Sequence, residues 1–124
     1  MALFMKPLNQ YSSLELRYEK AIIALLDVAM NHSDSRAKVC GSILLSAAGR
    51  EKAPGKTFCI TFSELTYLDD DLQHAAMGVI HGRTSLRLWP QMMIQDGDKV
   101  FRMLWLRWIN VEDWPSWYDF DRWS

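Results

Sequence analysis

The stretch LELRYEKAIIALLDVAM, residues 14–30, decides what kind of fold this chain can adopt. Its apolar side chains recur at Leu14, Tyr18, Ala21, Ile22, Leu25, Leu26, Ala29 and Met30. That is the i, i+3, i+4 rhythm of an α-helix with one face turned to a core. Glu15, Arg17, Glu19 and Lys20 occupy the other face near its start. Just ahead, Ser12 and Glu15 have the spacing of a capping box, in which a hydroxyl and a carboxylate each satisfy a free amide of the first turn. The spacing predicts a helix over 14–30, preceded by an arm over 1–11.

Working outward, the same rhythm resumes after the polar break NHSDS (31–35). Ser33 or Asp34 is placed to cap a second helix. Val39, Cys40, Ile43, Leu44, Ala47 and Ala48 form its stripe, and Gly49 is a natural left-handed stop. GREKAPGK (49–56) reads as a polar loop. In TFCITF (57–62), Phe58, Ile60 and Phe62 alternate to one side. A single strand has no partner here, so the expectation is a short extended segment pinned to helices by its rings. Ser63 opens a brief helical turn, and Asp69 caps a helix over DDLQHAAMGVIHG (70–82). There Leu72, Ala75, Ala76, Val79 and Ile80 are expected inward, with Gly82 as the end. Three successive acids, Asp69 to Asp71, suit the positive end of that helix. Pro90 interrupts any helix crossing 83–98, yet Leu86, Leu88, Trp89, Met92, Met93 and Ile94 are too apolar for a solvated loop. Asp96 or Asp98 opens a last helix with Val100, Phe101, Leu104, Trp105 and Trp108 inward and Arg102 and Arg107 solvated. The expected fold is all-α: one domain over 1–124, a compact bundle of about five helical segments, with an aromatic tail over 112–124.

Composition sets the outer bounds. At 124 residues, 49% hydrophobic and 23% charged, the chain is long enough to bury a core without a metal or a disulfide. Its formal charge of −1 gives no global attraction to nucleic acid or to an anionic membrane. Cys40 and Cys59 sit among apolar neighbours, outside any CxxC pair, and read as free buried thiols of a reducing cytoplasm. MALFMKPLNQ (1–10) has too short an apolar run for a signal peptide, and no stretch approaches a membrane span.

Three segments carry a family resemblance: LLDVAMNHSDSRAKVCGSILLSAAGRE (25–51), FCITFSELTYLDDDLQHAAMGVI (58–80) and LWLRW (104–108). Together they resemble a family of small helical proteins carried on plasmids and integrative conjugative elements of proteobacteria. Arg36, Phe62, Leu65, Asp69 and Trp108 are the matching positions. The chain departs from the pattern at Ser46-Ala47-Ala48, where paired tryptophans are expected, and in its aromatic tail. The resemblance implies a cytoplasmic accessory protein of a bacterial mobile element, one that acts on host machinery such as a defence system by occupying a surface.

Chemistry-bearing residues are sparse. Asp70 and His74 lie one turn apart on a helix, with Asp71 and His81 nearby. His74 and His81 are about 10 Å apart along the axis, too far to share one ion unaided. No nucleophile elbow or phosphate loop is present, so an enzyme with an Asp/His site ranks third and no cofactor, metal or catalytic residue is expected. Arg83, Arg87, Lys99, Arg102 and Arg107, interleaved with Trp89, Phe101 and Trp105, form a basic-aromatic region. That is the mark of a nucleic-acid-associated regulator, the second reading.

The tail EDWPSWYDFDRWS (112–124) carries the first reading. Trp114, Trp117, Tyr118, Phe120 and Trp123 alternate with Glu112, Asp113, Asp119 and Asp121. Burying such rings stabilises a fold by about 2–3 kcal/mol each, whereas leaving them in water invites association. The tail is therefore either a strap across the helices or a set of anchors for a protein partner, from the host or a second copy. A homodimer in which each tail covers its twin satisfies both.

Overall fold

A computed structural model describes residues 13–109; the expected arm, the aromatic tail and Ser12 of the expected capping box lie outside the described residues. The described chain runs α1 (Ser13–Asn31), α2 (Ser35–Ala47), β1 (Glu51–Ala53), β2 (Lys56–Thr57), α3 (Phe62–Leu65), α4 (Asp70–Leu86), a 3-10 turn (Pro90–Met92) and α5 (Gly97–Trp108). The architecture is all-α, as the apolar stripes predict, with one small two-stranded hairpin added.

The centre is α1 packed on α4 and α2. Tyr18, Ala21, Ile22, Leu25 and Ala29 are buried along one side of α1, the stripe legible at residues 14–30. α4 lies antiparallel to it at close range, because small residues mark the contact. Gly78 faces Ala21, and Gly82 faces the Tyr18 ring. A Cβ on Gly82 would overlap Cγ and Cδ1 of that ring and stand 2.7 Å from its Cβ. Gly82 is therefore a mid-helix contact and not the expected helix end. α4 continues four residues further and closes at Arg87, whose φ of 58° takes the left-handed cap. The Tyr18 hydroxyl donates to the Leu88 carbonyl at 2.7 Å, tying the chain after α4 back to α1.

α2 is buried on nearly every side, from Val39 through Leu45 with Ala37. This suits a helix in the middle of a bundle. Of the two candidate caps, Asp34 is the one used: its carboxylate accepts from the Ala37 amide at 3.0 Å. The helix ends as Gly49 predicts. With φ 76°, Gly49 lets its own amide reach Ser46 and the Arg50 amide reach Leu45, a paired closure that satisfies the last carbonyls.

Three sequence expectations fail between α2 and α4. The polar loop 49–56 contains a strand pair, Glu51 with Thr57 and Ala53 with Lys56. Pro54 and Gly55 (φ 77°) turn the corner, the residue types that a type II turn favours. A two-stranded hairpin is marginal alone. This one is held by α5, where the Trp105 indole donates to the Glu51 carbonyl at 2.9 Å. Nor does the 57–62 segment pin all its rings. Phe58 is buried and Ile60 half-buried, but Phe62 is 89% exposed. Thr61 and Glu64 form a reciprocal capping box there, so the chain enters α3 at Phe62 instead of continuing extended. Cys59, expected to be buried, faces solvent; Cys40 is buried.

Asp69 caps α4 as expected, accepting from the Leu72 amide at 2.9 Å. The 83–98 region resolves into the end of α4, a half-buried run at Leu86 and Leu88, and the 3-10 turn opened by Pro90. α5 turns Phe101, Leu104 and Trp108 into the core, with Val100 and Trp105 half-buried. Asp96 stands at its N-terminus with φ 54°, but its side chain makes no capping bond. Arg107, expected on a solvated face, crosses to the end of α1. It donates to the carbonyls of Ala29 (2.9 Å) and His32 (2.7 Å) and to Ser33 Oγ. Free carbonyls at a helix C-terminus attract such a cation. Trp108 makes a parallel bond to Ala29 at 3.0 Å while its ring covers Gly41.

Candidate protein-binding groove

α4 presents two sides to the core. Gly78 and Gly82 face α1, while Leu72, Ala76 and Val79 are also buried. The remaining side is left with Met77 and Ile80, one turn apart and 44% and 43% exposed. Ile80 was expected inward. The glycines take α4 so close to α1 that the inward arc is filled by small residues, and Ile80 falls outside it.

Two adjoining hollows run along this side of α4. One, of about 570 Å³, has an aliphatic floor of Ile43, Ala47, Ile60, Val79 and Ile80. Arg83, Thr84 and Arg87 close one end of it. The other, of about 480 Å³, lies toward the start of α4 between Phe62, Leu65 and Met77, with Asp70 and His74 on its rim. Both fall in the size range of small recognition sites, about 300–1,000 Å³. A third hollow, about 440 Å³, separates α1 from α4 and includes Arg17, Lys20, Asp71 and His74.

Arg83 is held at the basic end of the larger hollow. Arg83 Nε donates to the Ala47 carbonyl at 2.9 Å, and its guanidinium lies 4.0 Å from the centre of the Trp89 ring. One hydrogen bond to the last carbonyl of α2 and one stacked face hold it. Arg87 stands one turn on, exposed. Burial pushes the Tyr18 phenol up to about 12, while the positive charge of Arg83 pulls the other way. Burial likewise pushes the Cys40 thiol up to about 12, against the lowering effect of Arg36. Cys40 is an inert core thiol, since the thiolate is the reactive form.

The residues singled out by sequence divide accordingly. Asp70 and His74 do share one hollow, whereas Asp71 opens with His74 on the α1–α4 hollow and His81 lines none of the three. Among the described residues, no three His, Cys, Asp or Glu side chains group closely enough to hold a metal ion. The members of the basic set have different partners. Arg83 and Arg107 are committed to backbone carbonyls at the ends of α2 and α1. Lys99 and Arg102 are exposed on α5, and Arg87 is at the groove. Trp114, Trp117, Tyr118, Phe120 and Trp123 lie outside the described residues.

Sequence reasoning missed Phe62, Met77 and Ile80 as surface residues. A signal was available in Gly78 and Gly82, spaced i, i+4 on α4. Paired small residues on a helix mark a close helix neighbour, which would have rotated the inward arc away from Ile80. Compared with family models, curated proteins and solved structures, the chain matches none.

Proposed function

We propose that the chain works by contact and not by turnover. In this reading the α4 groove binds a segment of another protein that sets large apolar side chains next to carboxylates. The observation that carries the reading is the exposed apolar strip Phe62–Met77–Ile80, set along concave hollows and ended by Arg83 and Arg87. Single exposed apolar residues are ordinary on any protein. Such a set over aliphatic hollows, with two cations at one end and one of them held in place, has the make-up of an interface: an apolar centre and a charged rim that sets orientation. Asp70 and His74 then serve as rim groups.

The setting is proposed on the family resemblance alone: an accessory protein of a bacterial mobile element, in the cytoplasm, whose partner belongs to host machinery. No helix of the described residues is long and apolar enough to cross a membrane.

The test is selection of binding peptides from a random displayed library against the full chain. Enriched peptides are expected to pair an aromatic or aliphatic side chain with a nearby carboxylate. Ile80→Glu or Arg87→Glu should weaken their binding about tenfold or more, about 1.4 kcal/mol, with unfolding unchanged. Failure to enrich, or binding indifferent to both substitutions, refutes the reading.

A further inference from the structure

We infer that, when no partner is bound, the Ile60–Ile80–Arg87 groove is occupied by the chain's own C-terminal segment, residues 112–124, folded back within the same molecule. The inference rests on the groove being a site for acidic-aromatic segments.

Three observations carry it. The first is chemical fit. The groove joins an aliphatic floor to two guanidiniums, and 112–124 alternates five rings with four acids. The second is charge. The segment holds four acids against Arg122 alone, a balance of −3, while residues 1–111 hold 13 basic and 11 acidic residues, a balance of +2. Opposite net charges on the two parts of one chain favour the folded-back arrangement and steer it toward the basic end of the groove.

The third is reach. α5 ends with the Trp108 ring against Gly41 of α2. The groove wall at Ile43, Ser46 and Ala47 lies on that same helix, no more than about 9 Å further along its axis. Fifteen residues follow Ile109, enough to span about 50 Å when extended. Pro115 disfavours helix at Trp114, so the chain has a built-in point at which to leave the direction of α5. The outer side of α5 offers a rival seat, with Lys99, Arg102, Met103 and Leu106 exposed. The α4 groove combines an aliphatic hollow with a cation already held in place, Arg83 on the Ala47 carbonyl and the Trp89 ring.

An intramolecular occupant sets the apparent affinity for any outside ligand. If the segment closes the groove nine-tenths of the time, outside peptides bind about tenfold more weakly than they would to the open form. The tail rings and the groove are then two halves of one contact, released together when a partner competes.

The experiment uses the full chain labelled at its isoleucine, leucine and methionine methyls. Nuclear Overhauser contacts from the rings of Trp114, Trp117, Tyr118, Phe120 or Trp123 to Ile60 and Ile80 are expected. They should persist on dilution and be lost in the Arg87→Glu, Asp119→Ser, Asp121→Ser variant. Contacts to Met103 and Leu106 instead, contacts only between differently labelled copies, or no tail contacts at all, each overturn the inference. A second arm measures a library-selected peptide against the unaltered chain and against a chain with the five rings changed to serine. Binding about tenfold tighter to the serine chain supports occupancy. Equal binding overturns the inference but leaves the proposed function standing, whereas binding to neither overturns the proposed function. If the serine chain does not fold, the methyl contacts in the unaltered chain decide.

Discussion

Gly82→Ala separates the structure from ordinary helix propensity, because the two demand opposite signs. In an exposed helix interior, alanine is better than glycine by about 1 kcal/mol. Gly82 is helical and buried, and a Cβ there would overlap the ring of Tyr18. Tyr18 has little room to yield: it is 0% exposed, and its hydroxyl is tied to the Leu88 carbonyl at 2.7 Å. Overpacking of this kind costs typically about 1–3 kcal/mol, and a rigid ring places it at the upper end. Subtracting the propensity gain leaves a net loss of about 2 kcal/mol. In urea this lowers the unfolding midpoint by about 1 M, given a slope of about 2 kcal/mol per M for a domain of this size. Gly78→Ala is the internal control. Its Cβ would stand 2.9 Å from the Ala21 Cβ, which can yield only with the backbone of α1, so Gly78→Ala also destabilises, but by less than Gly82→Ala, whose overlap is deeper. In a Tyr18→Leu background the cost of Gly82→Ala should shrink by more than about 1 kcal/mol, the coupling expected of residues in contact. A Gly82→Ala protein that is more stable than the parent by the propensity amount would refute the close α1–α4 approach.

The other predictions concern the two raised pKa values and the two thiols. A thiol-specific reagent should titrate one cysteine rapidly in the native protein, the exposed Cys59, and reach the buried Cys40 only after denaturant is added; two rapid thiols would contradict the seat of Cys40 in the core. Tyr18 ionises near 12 in the folded chain against 10.0 when unperturbed, so the unfolded state loses that proton first. Stability from this group is complete below about pH 10 and falls as pH rises toward 12, by on the order of 1 kcal/mol per unit. Cys40 shifts from 9.0 to about 12 and falls in the same sense, so the measurement belongs in a Cys40→Ala background. There, Tyr18→Phe should flatten the alkaline decline; an unchanged slope would show that the phenol is not the group responsible.

Much of this fold was legible because local rules governed it. The stripe at 14–30, the Asp34 and Asp69 caps and the left-handed Gly49 stop each depend on a few neighbouring residues, and each appears as read. Reading failed where a residue's role depends on a neighbour distant in sequence. Gly82 carries the same local signal whether it ends a helix or admits Tyr18, 64 positions earlier. Arg107 looks like a solvated cation until the end of α1 places its carbonyls beside it. The hairpin at 51–57 needs Trp105 to hold it.

The sequence by itself therefore determined that this is a helical domain, where α4 begins, and which residues have the apolarity to fill a core. It also showed that acids and aromatic rings are concentrated over 112–124. Only the tertiary structure decided which side of α4 faces outward. That choice depends on how closely two helices can approach, a distance set by the absence of side chains at Gly78 and Gly82 against the bulk of Ala21 and Tyr18. With it came the exposure of Met77 and Ile80, and the fixing of Arg83 at the end of the groove they border. Periodicity counts apolar residues around a helix, but it does not record the distance to the neighbouring helix.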